Sequence, residues 1–469
     1  MGTPKGILMH ISSLPSCYGI GNLGKEAYGF VDFLKGSGQE FWQILPQNPT
    51  GYADSPYQSV AAFAGNPYFI DIDRLILEGL LKKEETDNYF FGKNPKRVDF
   101  EKIFFYRYPL LRYAFQRFLP NREYEEFLEE NSFWLDEYAL FMAIKEKNHY
   151  KSWLEWEEPL KNRDEKALDI IRKDYEKTIE FYKFLQYEFF KSWYELKEYA
   201  NENGIKIIGD IPIYVAEDSV DLWANRENFQ FFENGKLRRV AATPTEVWGN
   251  PIYNWEEMKK DGYSWWQKRF LMAEKMYDMV RIDHFGGFFE YYSVDGDSRD
   301  LGKIQKHQGY GKDLFSKIPI KCGVIAENLG LIPKECEEIM KKYGFMGMNI
   351  LQFSVNFKEK KINYRENEVF YTGNHDNNTI LGWFESLSDN KKRILRKILN
   401  VKPSDDILPA LIGKVTGSNS KIAIIPIQDY LGEGEKERMN IPSTVGGNWL
   451  YRVTKEEMSP KLQEFVESF

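Results

Sequence analysis

Acidic side chains stand at the ends of several short apolar runs in this chain. Asp210 follows Ile207-Ile208-Gly209, Asp283 follows Ile282, and Glu327 follows Val324-Ile325-Ala326, while His375 and Asp376 lie just beyond Val369-Phe370-Tyr371. Arg281 precedes Asp283 by two residues, which puts both on one side of a pleated strand. Taken alone, Arg281 and Asp283 read as a structural ion pair anchoring a loop. Four carboxylates gathered at one rim are harder to explain that way, because each raises the cost of ionising the next. Two carboxylates flanking a bond, with no metal ligands or phosphate cradle beside them, are the apparatus of glycoside cleavage. One attacks the anomeric carbon and the other protonates the leaving oxygen. Arg281 favours the ionised form that a nucleophilic Asp283 needs. The apolar run before Glu327 desolvates its carboxyl and raises its pKa toward that of a general acid. Asp376, next to His375, is placed to hydrogen-bond a sugar hydroxyl and to strengthen that bond in the transition state.

Such side chains need a scaffold that brings distant strand ends to one place. Short apolar runs at 6–11, 41–46, 205–211, 279–283, 322–327, 348–353, 369–373 and 422–427 read as strands, and helical patterns separate most of them. Their number and alternation predict an α/β fold, a (β/α)8 TIM-type barrel whose chemistry sits at the C-terminal ends of the strands. Residues 1–469 read as a single catalytic barrel domain. From 73 to 201 the texture turns to long, charged, tryptophan-studded helical stretches, a mainly helical insertion between barrel strands. Residues 213–262 read as a loop insertion bordering the active site. One further stretch, 68–72, is strand-like, and the aromatic-rich loops 52–57 and 248–253 are expected to supply stacking walls. Gly19-Ile20-Gly21-Asn22-Leu23-Gly24 matches a dinucleotide-binding fingerprint. A polar loop containing Pro15 separates it from the preceding strand, so a glycine-rich surface loop is the expectation.

Composition narrows the partners. A formal net charge of −8 offers no basic footprint for nucleic acid, and no apolar run is long enough to span a bilayer. The chain enters its first strand without a signal or transit peptide, and its three cysteines show no Cys-x-x-Cys spacing. Both points lead to the cytoplasm. Five histidines, none paired at ligand spacing, lead to the expectation of no structural or catalytic zinc site.

Eight segments carry a resemblance to a known family: Asp54-Ser55-Pro56-Tyr57, Phe63-Ala64-Gly65-Asn66-Pro67, Asp210-Ile211-Pro212-Ile213, Trp248-Gly249-Asn250-Pro251, Arg281-Ile282-Asp283-His284, Ala326-Glu327-Asn328-Leu329-Gly330, Gly373-Asn374-His375-Asp376-Asn377 and Arg438-Met439-Asn440-Ile441-Pro442. In this order the chain resembles, over nearly its whole length, the 4-alpha-glucanotransferases (amylomaltases or disproportionating enzymes) of the alpha-amylase clan. The resemblance implies a cofactor-free barrel enzyme that cleaves an α-1,4 linkage with retention and passes a covalently held glucosyl group to another sugar's 4-hydroxyl. Its substrates would be maltooligosaccharides and α-1,4-glucans. It implies Asp283 as nucleophile, Glu327 as acid/base and Asp376 as transition-state stabiliser. It implies glucan contacts at Ser55, Tyr57, Asp210, Trp248, Asn250, Arg281, His375 and Asn440, with Tyr52 in a secondary glucan site.

The chain departs from the family pattern in four places. Only Thr243-Pro244-Thr245-Glu246-Val247 precedes Trp248, where relatives carry a longer lid segment, and Glu246 stands where they often place Gln. Ser443 replaces a usual glycine, and Asn374 a common threonine. A shortened lid makes net hydrolysis the rival among enzymes. A non-catalytic glucan-binding protein on a borrowed barrel is the rival outside them.

Overall fold

In a computed structural model, which describes residues 2–232, 236–243, 246–295 and 304–469, the eight apolar runs form parallel strands of one sheet. They are β1 (Lys5–Leu8), β2 (Phe41–Gln43), β3 (Lys206–Ile211), β4 (Met279–Ile282), β5 (Gly323–Ala326), β6 (Met348–Ile350), β7 (Val369–Tyr371) and β8 (Ile422–Pro426). Each pairs with its neighbours in chain order except β5 with β6, and β8 pairs with β1. A parallel bridge between Ile325 and Met346 joins β5 to the entry of β6 and closes the barrel. Strands covered on both faces read as continuous apolar runs, which is why β8 (Ile-Ala-Ile-Ile-Pro) is buried throughout. Gly6 is required where β1 crosses β2: a side chain there would run into Phe41 and Ile424.

Between β2 and β3 the chain builds three long helices, Phe100–Arg117, Arg122–Lys147 and Glu176–Glu202. The last two pack along one another through aromatic pairs, among them Trp134–Phe190 and Tyr138–Tyr182. Trp193 ties the third helix to the barrel by donating its indole N–H to the Met276 carbonyl at 3.1 Å. Gln186 on the same helix bonds both backbone groups of Gly65, accepting at 2.7 Å and donating at 2.9 Å. The insertion thereby holds the 51–67 segment against the mouth of the barrel. Among the described residues no helix is long and apolar enough to cross a membrane.

Four expectations are corrected. The strand-like run 68–72 is a 3-10 turn, Pro67–Phe69, followed by a helix, Ile72–Leu77. Asn66 and Asp71 cap these elements through their side chains, and that local capping overrides the β-prone Phe and Ile residues. The run 348–353 is strand only to Ile350 before turning helical at Leu351. The glycine-rich stretch 19–24 is buried, not a surface loop. A side chain at Gly21 would strike the Ile11 carbonyl and one at Gly24 the Asp71 carboxylate, so these glycines allow close packing. Finally, the 213–262 segment is not plain loop. It contributes strands Arg238–Thr243 and Glu246–Pro251 to a four-stranded antiparallel sheet completed by Glu290–Asp295 and Gln305–Gln308.

Candidate active site

Strand register brings the first group together. Asp210 of β3 lies directly opposite Arg281 of β4. One Arg281 terminal nitrogen donates to both Asp210 oxygens, at 2.9 and 2.8 Å, and the other donates to Asp283 Oδ1 at 2.9 Å. Arg281 and Asp210 are almost fully buried, while Asp283 keeps 23% of its side chain exposed at the rim. Burial pushes the Asp210 carboxyl up, Arg281 opposes that, and Asp283 reinforces it, leaving Asp210 at about 6. The planar guanidinium serves two carboxylates at once, which a lysine could not do with the same geometry.

Asp283 and Glu327 sit one residue beyond adjacent strands. The Asp283 N–H donates to the Ile211 carbonyl and the Glu327 N–H to the Ile282 carbonyl, both at 3.0 Å. His284 adopts a left-handed backbone, φ 46°, that aims its N–H at Glu327 Oε2, 2.8 Å away. Leu329 N–H donates more weakly, at 3.4 Å, to Oε1. Burial is the largest influence on Glu327 and the Asp283 charge adds to it, while Arg281 and the two N–H groups oppose; the carboxyl rises to about 7. The His284 ring meets Trp248 edge-on at 4.9 Å and lies near Tyr214. Burial keeps its imidazole below its ordinary pKa.

The remaining wall is made of loops. His375 and Asp376 lie on the turn after β7. The Tyr57 ring stacks on His375 at 4.9 Å, and its hydroxyl donates to Asp210 Oδ2 at 2.7 Å. Asp376 accepts from Asn440 Nδ2 at 2.7 Å and lies 3.3 Å from His375 Nε2. Burial would raise the Asp376 carboxyl, but the His375 charge, together with hydrogen bonds from His375 and Asn440, holds it well below the usual range. Arg438 donates to the Asp376 backbone carbonyl at 2.9 Å, and the Asn440 N–H to that of His375 at 3.0 Å.

A family model described as 4-alpha-glucanotransferase matches residues 9–458. The chain belongs to the 4-alpha-glucanotransferase family. It is 42% identical to the 4-alpha-glucanotransferase of Streptococcus pneumoniae, across 98% of this chain and 95% of that one. To the enzyme of the same name from Aquifex aeolicus it is 39% identical, across 98% and 97%. Its fold matches the amylomaltase from Streptococcus agalactiae in complex with acarbose with a TM-score of 0.94 and 39% identity, covering 99% of this chain and 98% of the other.

In this 4-alpha-glucanotransferase family member, Tyr57, Asp210, Arg281, Asp283, His375, Asp376 and Asn440 form one connected set, and Glu327 joins it through the His284 peptide. Trp248, 39% exposed, stands over His284. Asn250 is buried and spends its amide on the Val215 carbonyl at 2.9 Å, so it holds the wall in shape. Ser55 accepts from the Tyr57 N–H at 3.2 Å. Tyr52 stands apart, 72% exposed on the 3-10 turn Tyr52–Asp54.

Three residues not singled out for the site join it: His284, Arg438 and Trp449. His284 and Arg438 lie inside motifs read for their neighbours. Trp449 packs near both Tyr57 and His375, and only the preceding Gly446-Gly447 hinted at a special turn there. Of the departures from the family pattern, Ser443 occupies a left-handed backbone at φ 64°, a conformation glycine adopts without steric cost. Asn374 accepts from the Asp376 N–H at 2.9 Å. Residues 244–245 of the shortened segment, and the side chains of Glu246 and Val247, lie outside the described residues.

Proposed function

We propose that the protein is a 4-alpha-glucanotransferase that moves α-1,4-glucan segments between maltooligosaccharides, or onto glucose, by a retaining double displacement. One observation carries the assignment of roles: Asp283 faces a guanidinium, whereas the hydrogen-bond donors to Glu327 are neutral backbone N–H groups and its carboxyl sits near 7. Asp283 Oδ attacks the anomeric carbon while Glu327 delivers its proton to the leaving 4-oxygen, and a glucosyl ester on Asp283 results. Glu327, now a carboxylate, takes the proton of an incoming 4-hydroxyl. That oxygen bonds to the anomeric carbon and Asp283 departs as carboxylate, so the two inversions give retention. Asp376 holds sugar hydroxyls and gains strength as the ring flattens, with Asn440, His375 and Tyr57 as its framework. Trp248 and Ser55 line the glucan path, Asn250 holds its wall in shape from behind, and Tyr52 offers an exposed ring to a second glucan segment.

We place all of 1–469 in one catalytic domain, with 73–201 and 213–262 as insertions, and the protein in the cytoplasm, where three free cysteines remain reduced. Incubation with maltotriose tests the reaction: glucose together with a ladder of longer maltooligosaccharides is the expected product. Reducing ends that rise steadily without longer products would mean hydrolysis. Asp283→Asn should lower turnover on the order of 10⁴-fold, and full turnover in that variant would remove the catalytic reading altogether.

A further inference from the structure

The loop that carries His375 and Asp376 is held at both of its ends by a single buried carboxyl. Asp429 belongs to the helical turn Ile427–Tyr430, directly after β8, and is 1% exposed. Its Oδ2 accepts from the Thr372 hydroxyl at 2.5 Å, just as β7 ends. Its Oδ1 accepts from the Ile380 N–H at 2.7 Å, where the next helix, Ile380–Ser386, begins. Both of these donors are neutral, and a carboxyl buried against neutral donors is an expensive way to fill space. Between the two tethers the loop bonds to itself. Asn374 N–H donates to the Asn377 side chain and Asp376 N–H to the Asn374 side chain, each at 2.9 Å. Releasing either tether would therefore shift the loop as a unit against Arg438 and Asn440, which hold it from the side. Asn374, His375, Asn378 and Asp429 also line one narrow cavity.

We infer that Asp429 is a positioning residue for turnover, a clamp that sets where the Asp376 carboxylate meets the sugar. The inference rests on the role proposed for Asp376. A displacement of Asp376 by an ångström or less acts on the transition state more than on ground-state binding.

On maltotriose, Asp429→Ala should lower kcat about 10- to 100-fold with KM changed by less than about twofold. Asp429→Asn keeps an acceptor for Ile380 and a partner for Thr372, and should recover most of the loss. Thr372→Val cuts one tether and should show a smaller fall that Thr372→Ser restores. Val415→Ala, a buried core truncation on the helix Leu408–Thr416, supplies a comparison protein of reduced thermal midpoint in which Asp429, Thr372 and Ile380 are unchanged. In an Asp376→Ala background the addition of Asp429→Ala should change the residual rate by less than about twofold, because the two residues act through one contact. Three results would overturn the clamp: an unchanged kcat in Asp429→Ala, a loss no larger than that of Val415→Ala at equal thermal midpoint, or a tenfold further loss in the Asp376→Ala background. If Asp429→Ala does not fold, the Thr372 pair decides by the same measures. An Asp376→Ala protein of full activity would instead overturn the catalytic role of Asp376, and the clamp with it.

Discussion

Asp283 and Glu327 are placed by the ladder of β3, β4 and β5, whereas Asp376 rides on a loop and is placed by Asn374 of that loop and by Arg438 and Asn440 of one other segment. The electrostatics divide along the same line. Within the strand-borne half, burial dominates and lifts Asp210 and Glu327. In the loop-borne half, burial also acts on Asp376, yet His375 and Asn440 outweigh it and keep the carboxylate charged. The contrast teaches that the barrel floor provides position, dryness and one cation, Arg281, shared between two carboxylates, while the loops supply the histidine and amide that keep Asp376 charged.

The largest test of that contrast is Arg281→Met. It would leave Asp210 and Asp283 facing each other without a cation, and should destabilise the protein by about 3–5 kcal/mol while lowering kcat on the order of 10³-fold. Denaturant midpoints and steady-state rates on maltotriose read both effects, and a stability within about 1 kcal/mol of the parent would break the claim that the floor is held electrostatically. Asp376→Asn should separate the two quantities. Asp376 lies on a loop outside the strand ladder, so stability should move little, while kcat falls about 10²- to 10³-fold.

A pH profile sharpens the comparison further. Glu327 must be protonated for the first step, so kcat/KM should fall about tenfold per unit above pH 7. Glu327 rises from 4.5 to about 7 on folding, so its contribution to stability is complete below 4.5 and is lost as pH climbs through about 7. Glu327→Gln should therefore gain thermal midpoint over the parent progressively across that window and hold the gain above it. Asp376, held low, stays ionised throughout the same range. The smallest expected effect is Ser443→Gly, which relieves a left-handed serine on an exposed stretch and should add about 1 kcal/mol with activity unchanged.

The strand-borne half was readable in the sequence because doubly covered strands leave apolar runs, and a charged residue ending such a run is conspicuous. Asp210, Arg281, Asp283 and Glu327 all announce themselves that way. Of the loop-borne half, His375 and Asp376 were readable from their place beyond an apolar run, but Asn440 was reached only through the family resemblance and Trp449 not at all, since nothing local tells that Asn440 meets Asp376 across the site or that Trp449 leans on Tyr57 and His375. The antiparallel sheet was missed because its strands are polar and solvated on one side. The buried glycines at 19–24 misled because glycine marks both turns and close packing, and the sequence does not say which. Asp429 drew no notice, as a carboxyl bonding to a hydroxyl and an amide has no charged partner to pair with in the reading.

Barrel staves are not joined equally. β3 and β4 match over four residue pairs, but β5 and β6 meet through the single bridge at Met346, whose backbone exchanges bonds with Val324 and Ala326. That seam runs immediately beneath Glu327, the group whose proton depends on being kept dry. Burial is what lifts the Glu327 carboxyl most, so water let in at this joint would ease that desolvation and favour loss of the proton. The enzyme's supply of acid is in this sense tied to the mechanical soundness of its thinnest joint.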